Sequence, residues 1–371
     1  FFQAEDGIRD SRSVSAFLLN RSSDLLGQQG RAMKQVIWLV VTIALAVGGF
    51  IPAIDLGARE AVPLQTNGDG RAPPVTDLER MQRDPGAVVA ALAENAEGKV
   101  YSAAVKGTDP DDLALAVALV DGRIFSIGDA GVRFPLMSVS KPFTYALALE
   151  QHGVDYMIDR IGVSATGFPY NAVAAGAVRR TSEQNPLVNA GAIATHGYIE
   201  GATPDDKLGA VIALYSRMAN RPLSIDETWR VAPRALTYTL AYQMKASGRL
   251  QGDVEDIAER YLESNIVAVT VEDLARMGAT LAAGGVQPQT GERILKSETV
   301  RTVLSVMVIA GMYEGSGLWW TRVGLPAKSG VSGAILAVVP GWGAIAACSP
   351  RLDEAGNSVR AALAIRELAD R

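Results

Sequence analysis

Ser138-Val139-Ser140-Lys141-Pro142 is the stretch on which the reading of the chain turns. Proline is best tolerated in the first turn of a helix, where its missing N–H is no loss. A helix is therefore expected to start near Val139 or Ser140 and to present Ser138 and Lys141, spaced i, i+3, on one face. That places an amine beside a hydroxyl. A serine needs a base to become a nucleophile, and a lysine buried beside a second cation can fall far below its reference of about 10.4 and act as that base. The positive end of the helix also favours negative charge on the Ser138 oxygen. Taken alone, the S-x-x-K pattern equally fits a capping serine and a solvated lysine.

A second element narrows the choice. Gly324-Leu325-Pro326-Ala327-Lys328-Ser329-Gly330-Val331 precedes the strand-like run Ile335 to Val339. A Lys-Ser-Gly on a strand edge is the partner that S-x-x-K has in β-lactamases and penicillin-binding proteins. In this reading Lys328 is the second cation that depresses the Lys141 pKa, and the backbone N–H groups of Ser138 and Val331 form an oxyanion hole for a tetrahedral intermediate. The alternative is that the Gly-rich strand serves tight packing only.

Composition removes other classes. With 371 residues, 48% hydrophobic and 20% charged, the chain can bury at least one full core and is not of disordered composition. Its 35 Lys+Arg stand against 40 Asp+Glu, so there is no basic excess to bind a phosphate backbone, and nucleic acid is not expected as a partner. The single Cys348 excludes an internal disulfide. Two separated histidines, His152 and His196, make a zinc site and a Ser-His-Asp triad poor readings. Residues 1–32 resemble translated sequencing adapter and are set aside. Residues 33–58, with Lys34 before the apolar run Val36 to Phe50, read as an export signal or an uncleaved membrane anchor. A length at the short end of the roughly 17–25 residues that span a bilayer favours the cleaved signal and an exported, periplasmic body. Residues 59–74 read as a linker and 75–371 as the catalytic domain.

Within that domain Asp77 is expected to cap a helix through about Asn95. Leu113 to Val120 and Arg123 to Ile127, joined by Asp121-Gly122, read as a hairpin. The stretch 138–282 reads as a helical insertion: Phe143 to Leu149, Leu208 to Met218, and Val271 to Leu281 behind the cap Thr270. Trp319 to Val323, Ala334 to Val339 and Ala344 to Cys348 read as strands with Pro340-Gly341 as a turn, and Ser358 to Leu368 as a closing helix. Strands from both chain ends around a helical middle imply an α+β fold with an antiparallel sheet and flanking helices.

From about Gly98 to Ser358 the sequence resembles the serine-dependent glutaminase family. The likeness rests on Ser138 to Phe143, Asn185-Pro186-Leu187-Val188-Asn189-Ala190-Gly191-Ala192-Ile193, Gly311-Met312-Tyr313, Gly324 to Val331, and Ser349-Pro350-Arg351-Leu352-Asp353 with Gly356-Asn357-Ser358. The resemblance implies a β-lactamase/transpeptidase-like fold and hydrolysis of L-glutamine to glutamate and ammonia through an acyl-enzyme, with no metal or organic cofactor. It makes Ser138 the nucleophile, Lys141 its base, Tyr313 a proton relay and Val331 an oxyanion donor. It assigns substrate contacts to Tyr101, Asn189, Tyr261 and Val331, and it implies a homo-oligomer.

One stretch departs from the family. A Glu, and seven residues later an Asn at a helix start, usually hold the α-amino and α-carboxylate groups of glutamine. Here Arg230 and Thr237 stand at those places, in front of the matching helix Thr237 to Lys245, and Glu227 is the nearest carboxylate. The family's Glu-Pro-Ser-Gly is Ser164-Ala165-Thr166-Gly167, though Asn171 remains. Three readings therefore stay open: a glutaminase with a rebuilt clamp, in which Glu227 and Thr237 take part; an amidase or acyl hydrolase using the same serine on another substrate; and a binding protein that keeps the fold without turnover. Trp319-Trp320 reads as packed aromatic strand, Cys348 as a buried strand residue, and His152 as a helix-end cation without a catalytic part.

Overall fold

The computed structural model describes residues 91–92, 94–101, 109–167, 169–172, 184–230 and 234–369, all within the compact unit Pro74–Arg371. The adapter-like segment, the signal, the linker and nearly all of the Asp77 helix lie outside the described residues.

A five-stranded antiparallel sheet is assembled from both ends of this unit. Its order is β3-β2-β8-β7-β6, with β2 Ala114–Leu119, β3 Ile124–Gly128, β6 Ala327–Ser329, β7 Ala334–Val339 and β8 Gly343–Cys348. Two short pairs flank it: β1 Lys99–Val100 with β9 Arg351–Leu352, and β4 Phe134–Pro135 with β5 Ala268–Val269. Alternation splits each central strand between two cores. Ala114, Ala116, Ala118, Leu336, Ala344 and Ala346 face the helical side, and Leu115, Val117, Ile335, Ala337 and Ile345 face the other. The second face is covered by the C-terminal helix Val359–Ala369 through Ala361, Ala364 and Ile365.

The helical middle comprises α1 Lys141–His152, α2 Val154–Ile161, α3 Asn189–His196, α4 Pro204–Ala219, α5 Arg234–Ala246, α6 Val254–Asn265 and α7 Val271–Ala282, followed by α8 Ser297–Ala310, α9 Ser316–Val323 and the closing α10. Thr270 caps α7 as expected, in a reciprocal capping box with Asp273. The strands expected at 113–120, 123–127, 334–339 and 344–348 and the helices expected around 143–149, 208–218 and 358–368 are present, with ends displaced by a few residues.

Trp319 to Val323 is a correction. Its aromatic and β-branched composition reads as strand, yet these residues form most of α9. Local signals outweigh propensity here: a 3₁₀ turn, Tyr313–Gly315, leads into Ser316, and Gly324 ends the helix in the left-handed region, its N–H donating to the Trp320 carbonyl. Trp319 packs toward the C-terminal helix side and donates its indole N–H to the Leu325 carbonyl, 2.8 Å away, while Trp320 is exposed.

Small residues set the distance between α7 and the sheet. A β-carbon on Gly278 would lie 2.6 Å from both Ala344 Cβ and Leu336 Cδ1. Alanine would gain about 1 kcal/mol of helix propensity at this position, but overpacking of a close-packed core costs typically about 1–3 kcal/mol, and Ala344 has no rotamer with which to yield. Gly278→Ala is therefore expected to lower the unfolding free energy, read as a reduced denaturation midpoint at unchanged m-value.

Candidate active site

Ser138 lies in a 3₁₀ turn, Met137–Ser140, running directly into α1, with Pro142 in the first turn of that helix. The helix start expected at Val139 or Ser140 is thus displaced by a residue or two. In a 3₁₀ turn residues i and i+3 eclipse, so Lys141, which caps the turn, follows Ser138 along the same side of the backbone. Met137 adopts φ 46°, a conformation that is rare for a side-chain-bearing residue and that clusters at functional sites. Ser140 Oγ secures the turn by donating to the Met137 carbonyl at 2.7 Å and to Asn265 Oδ1 at 3.0 Å.

The Lys-Ser-Gly strand closes against this turn. A β-carbon on Gly330 would meet Val139 Cγ2 at 3.0 Å and the Leu136 carbonyl at 3.2 Å, so glycine is what lets the chain after β6 lie against the turn of Ser138. Val331, next in sequence, packs with Met137, Trp229, Ile266 and Ala268 in a small apolar cluster beside the turn.

Lys141 is buried, and burial alone pushes its amine down to about 7. Its Nζ donates to Asn189 Oδ1 at 2.6 Å, and the same oxygen accepts from the Tyr261 hydroxyl at 3.1 Å. Asn189 is delivered by the first turn of α3, which can approach because Gly191 carries no side chain. A β-carbon there would lie 2.0 Å from the Asn185 carbonyl. Desolvation is the cause of the low Lys141 value, and Lys328, its own amine held well down first by burial and then by the Lys141 charge, is the second cation expected beside it. Lys328 Nζ donates to the Gly311 and Ser329 carbonyls, at 3.1 and 2.5 Å, and lies 4.2 Å from the Tyr313 ring centroid. The two amines compete for protons as one unit.

Tyr313, like Met137, adopts a positive φ, 54°. Its hydroxyl donates to the Ser329 carbonyl at 3.0 Å and hydrogen-bonds with Ser138. Burial holds the phenol well above its usual value, with the Ser138 contact acting in the opposite direction. Tyr170 lies against Tyr313, with ring centroids 4.2 Å apart, and its carbonyl accepts from the Asn189 N–H at 2.9 Å. Tyr101, partly exposed, is an electrostatic neighbour of Tyr170 at the rim.

The structure thus brings Ser138, Lys141, Asn189, Tyr261, Tyr313, Lys328 and Val331 into one neighbourhood. Glu227 is exposed and ion-paired with Arg230, which also reaches Glu263 at 2.9 Å and Glu259 at 3.7 Å. Thr237 is buried in α5, and no hydrogen bond among the described residues joins it to Ser138, Lys141, Asn189 or Tyr261. Two contributors went unread in the sequence, Tyr170 and Asn265. The i, i+4 spacing of Asn265 from Tyr261 on α6 is the signal that could have found the latter, whose side chain also bonds the Tyr261 hydroxyl. His196, beneath Tyr261 with ring centroids 5.9 Å apart, is held neutral at about 3 by burial and the nearby Arg260.

The glutaminase family model matches residues 98–371. The chain belongs to the glutaminase family. A glutaminase of Colwellia psychrerythraea is 43% identical over 274 residues, 73% of this chain and 88% of the relative. One of Mycobacterium ulcerans is 42% identical over 259 residues, 69% and 81% respectively. Among solved structures, Mglu in its glutamate form is similar with TM-score 0.72 at 36% identity, covering 81% of this chain and 68% of that one. A Bacillus subtilis glutaminase, solved as a covalent complex with 5-oxo-L-norleucine, is similar with TM-score 0.68 at 28% identity, covering 76% and 95%. These neighbours have the β-lactamase-like fold, so the expected architecture is the observed one. The glutaminase relatives indicate a hydrolase acting on an amide.

A base must be neutral to accept a proton. The activity of this glutaminase is therefore expected to rise with pH through about 7, as Lys141 loses its proton, and to level above it. A kcat/KM profile from pH 5 to 9 reads this directly, and a rate that is flat through neutrality would remove Lys141 as the base.

Proposed function

We propose that Ser138 hydrolyses the side-chain amide of L-glutamine through an acyl-enzyme, with Lys141 as its base. The observation that carries the reading is the buried Lys141 amine in the turn of Ser138, bonded to Asn189 and lowered to about 7. The covalent Bacillus subtilis complex and the glutamate form of Mglu support it by relation.

In the first half-reaction Lys141 Nζ takes the Ser138 hydroxyl proton while Oγ bonds to the amide carbon. The carbonyl oxygen becomes an oxyanion that the Ser138 and Val331 N–H groups receive. Tyr313, whose phenol stays protonated at neutral pH, passes a proton to the departing nitrogen, and ammonia leaves as the C–N bond breaks. Lys141 returns the proton it holds through the Tyr313 hydroxyl. In the second half-reaction water attacks the ester, gives its proton to Lys141, and releases glutamate with the Ser138 hydroxyl restored. Asn189, Tyr261 and Tyr101 line the substrate side, and Lys328 fixes Tyr313 through its ring and the Gly311 and Ser329 carbonyls.

An amidase for a different substrate is not favoured, because the matched relatives are glutaminases. Export guided by residues 33–58, with membrane attachment where that segment is retained, and assembly into a homo-oligomer complete the reading.

Ser138→Ala is expected to reduce ammonia release from L-glutamine by about 10⁴-fold or more. Glutamine turnover that survives this substitution would overturn the mechanism. Glu227→Ala is expected to change KM by less than about fivefold, the scale of one exposed ion pair, because Arg230 keeps Glu259 and Glu263. A hundredfold rise would instead place the substrate ammonium on Glu227.

A further inference from the structure

The motif Asp353 to Ser358 has no part in the acyl chemistry above, yet it lies against it. The Asp353 N–H donates to the Asn357 carbonyl at 2.8 Å, the Asn357 N–H to Asp353 Oδ1 at 2.8 Å, and the Gly356 N–H to the Asp353 carbonyl at 3.1 Å. This is a closed turn, anchored at its end where Ser358 Oγ donates to the Ser349 carbonyl at 2.6 Å.

The turn touches the site at two points. Gly356, at φ +93°, faces three site residues: a β-carbon there would lie 3.6 Å from Tyr313 Cε2, 3.8 Å from the Tyr170 hydroxyl and 3.8 Å from Val331 Cγ1. The bare backbone of Gly356 thus lies within one methyl group of the Tyr313 ring, its neighbour Tyr170 and the Val331 side chain. Asn357, buried, donates from Nδ2 to the Met312 carbonyl at 3.4 Å. The Met312 N–H donates to Ser316 Oγ, which donates in turn to the Tyr313 carbonyl. The left-handed Tyr313 is therefore held from its own helix by Ser316 and from the C-terminal turn by Asn357.

We propose that this turn is a working wall of the acyl site, in which Gly356 determines how much substrate fits beside Tyr313 and Asn357 is a positioning residue for the Tyr313 hydroxyl. The proposal rests on the glutaminase reading. The two residues act on different steps, so their substitutions separate. A methyl group placed in a binding gap costs about 10–200-fold in discrimination, and Gly356→Ala is expected to raise KM for glutamine at least about tenfold on that scale while leaving kcat within a factor of about three. Asn357→Asp keeps the volume but loses the donor. Misplacing a reacting group by an ångström costs about 10²-fold, so kcat is expected to fall by that order with KM nearly constant.

Steady-state kinetics on the full chain, with Tm measured on the same samples, test this. Opposite KM and kcat splits support the wall whatever the Tm, since alanine at φ +93° and a buried carboxylate each strain the fold. Parallel losses that follow a lowered Tm, or no change in either constant, overturn it. Where the unsubstituted protein does not turn over glutamine, the glutaminase reading fails, and the wall is judged on Ser138 labelling by a fluorophosphonate. Slower maximal labelling in Asn357→Asp and weaker saturation in Gly356→Ala then support it, and rates equal to those of the unsubstituted chain overturn it.

Discussion

An amine kept out of water is the constraint on which the rest of this site depends. Lys141 gives up its hydration for one short bond to an amide oxygen, and that exchange lowers its affinity for protons into the neutral range. Burial of this kind requires walls on every side. α1 carries the lysine, α3 brings Asn189, and α6 brings Tyr261, whose ring lies 5.9 Å from the amine. The five-stranded sheet fixes the remaining side, because the Lys-Ser-Gly strand places a second amine, Lys328, in electrostatic contact with the first. The helical middle and the terminal sheet thus meet where a charge must be uncomfortable.

Two residues store strain around that point. A side-chain-bearing residue in a sparsely populated backbone region costs of order 1–3 kcal/mol and persists only where its surroundings over-determine it. Met137 is fixed by Ser140, which bonds its carbonyl and reaches Asn265 on α6, and by the β4–β5 pair just before it. Tyr313 is fixed by Ser316, by the Ser329 carbonyl and by Asn357. Both strained residues lie next to or within the reacting set, so the many hydrogen bonds that converge there hold a geometry the backbone would otherwise relax.

How much of this was legible in the sequence follows from the range of the interactions. The Ser138–Lys141 spacing, the Thr270 cap, the Asp121-Gly122 hairpin and the Lys328 strand are local patterns, and each appears where the residues place it. Trp319 to Val323 misled because aromatic and β-branched content favours a pleated surface only when a strand neighbour is present. Here Ser316 and Gly324 bracket a helix instead. Asn265 and Tyr170 act through contacts more than a hundred residues distant in sequence, to Ser140 and to Tyr313, and only the spacing of Asn265 from Tyr261 on α6 hints at either. The surroundings of Glu227 went unread for a related reason. Proximity in sequence to the missing carboxylate says nothing about Arg230, which holds Glu227 at the surface and takes two further glutamates from α6.

Burial assigns opposite roles to two groups in the same dry space. For a cationic acid such as Lys141 the charged form is the protonated one, so desolvation lowers the pKa and frees a lone pair. For a neutral acid such as Tyr313 the charged form is the deprotonated one, so desolvation raises the pKa and keeps a proton available. One physical cause therefore leaves the Lys141 amine able to take a proton near neutral pH and keeps the Tyr313 phenol protonated. The ion pairs of Arg230 lie outside this scheme because they remain partly exposed, where charges are screened and cheap to rearrange. The ion pairs around Arg230 can therefore be rearranged without altering the proton affinities of Lys141 and Tyr313.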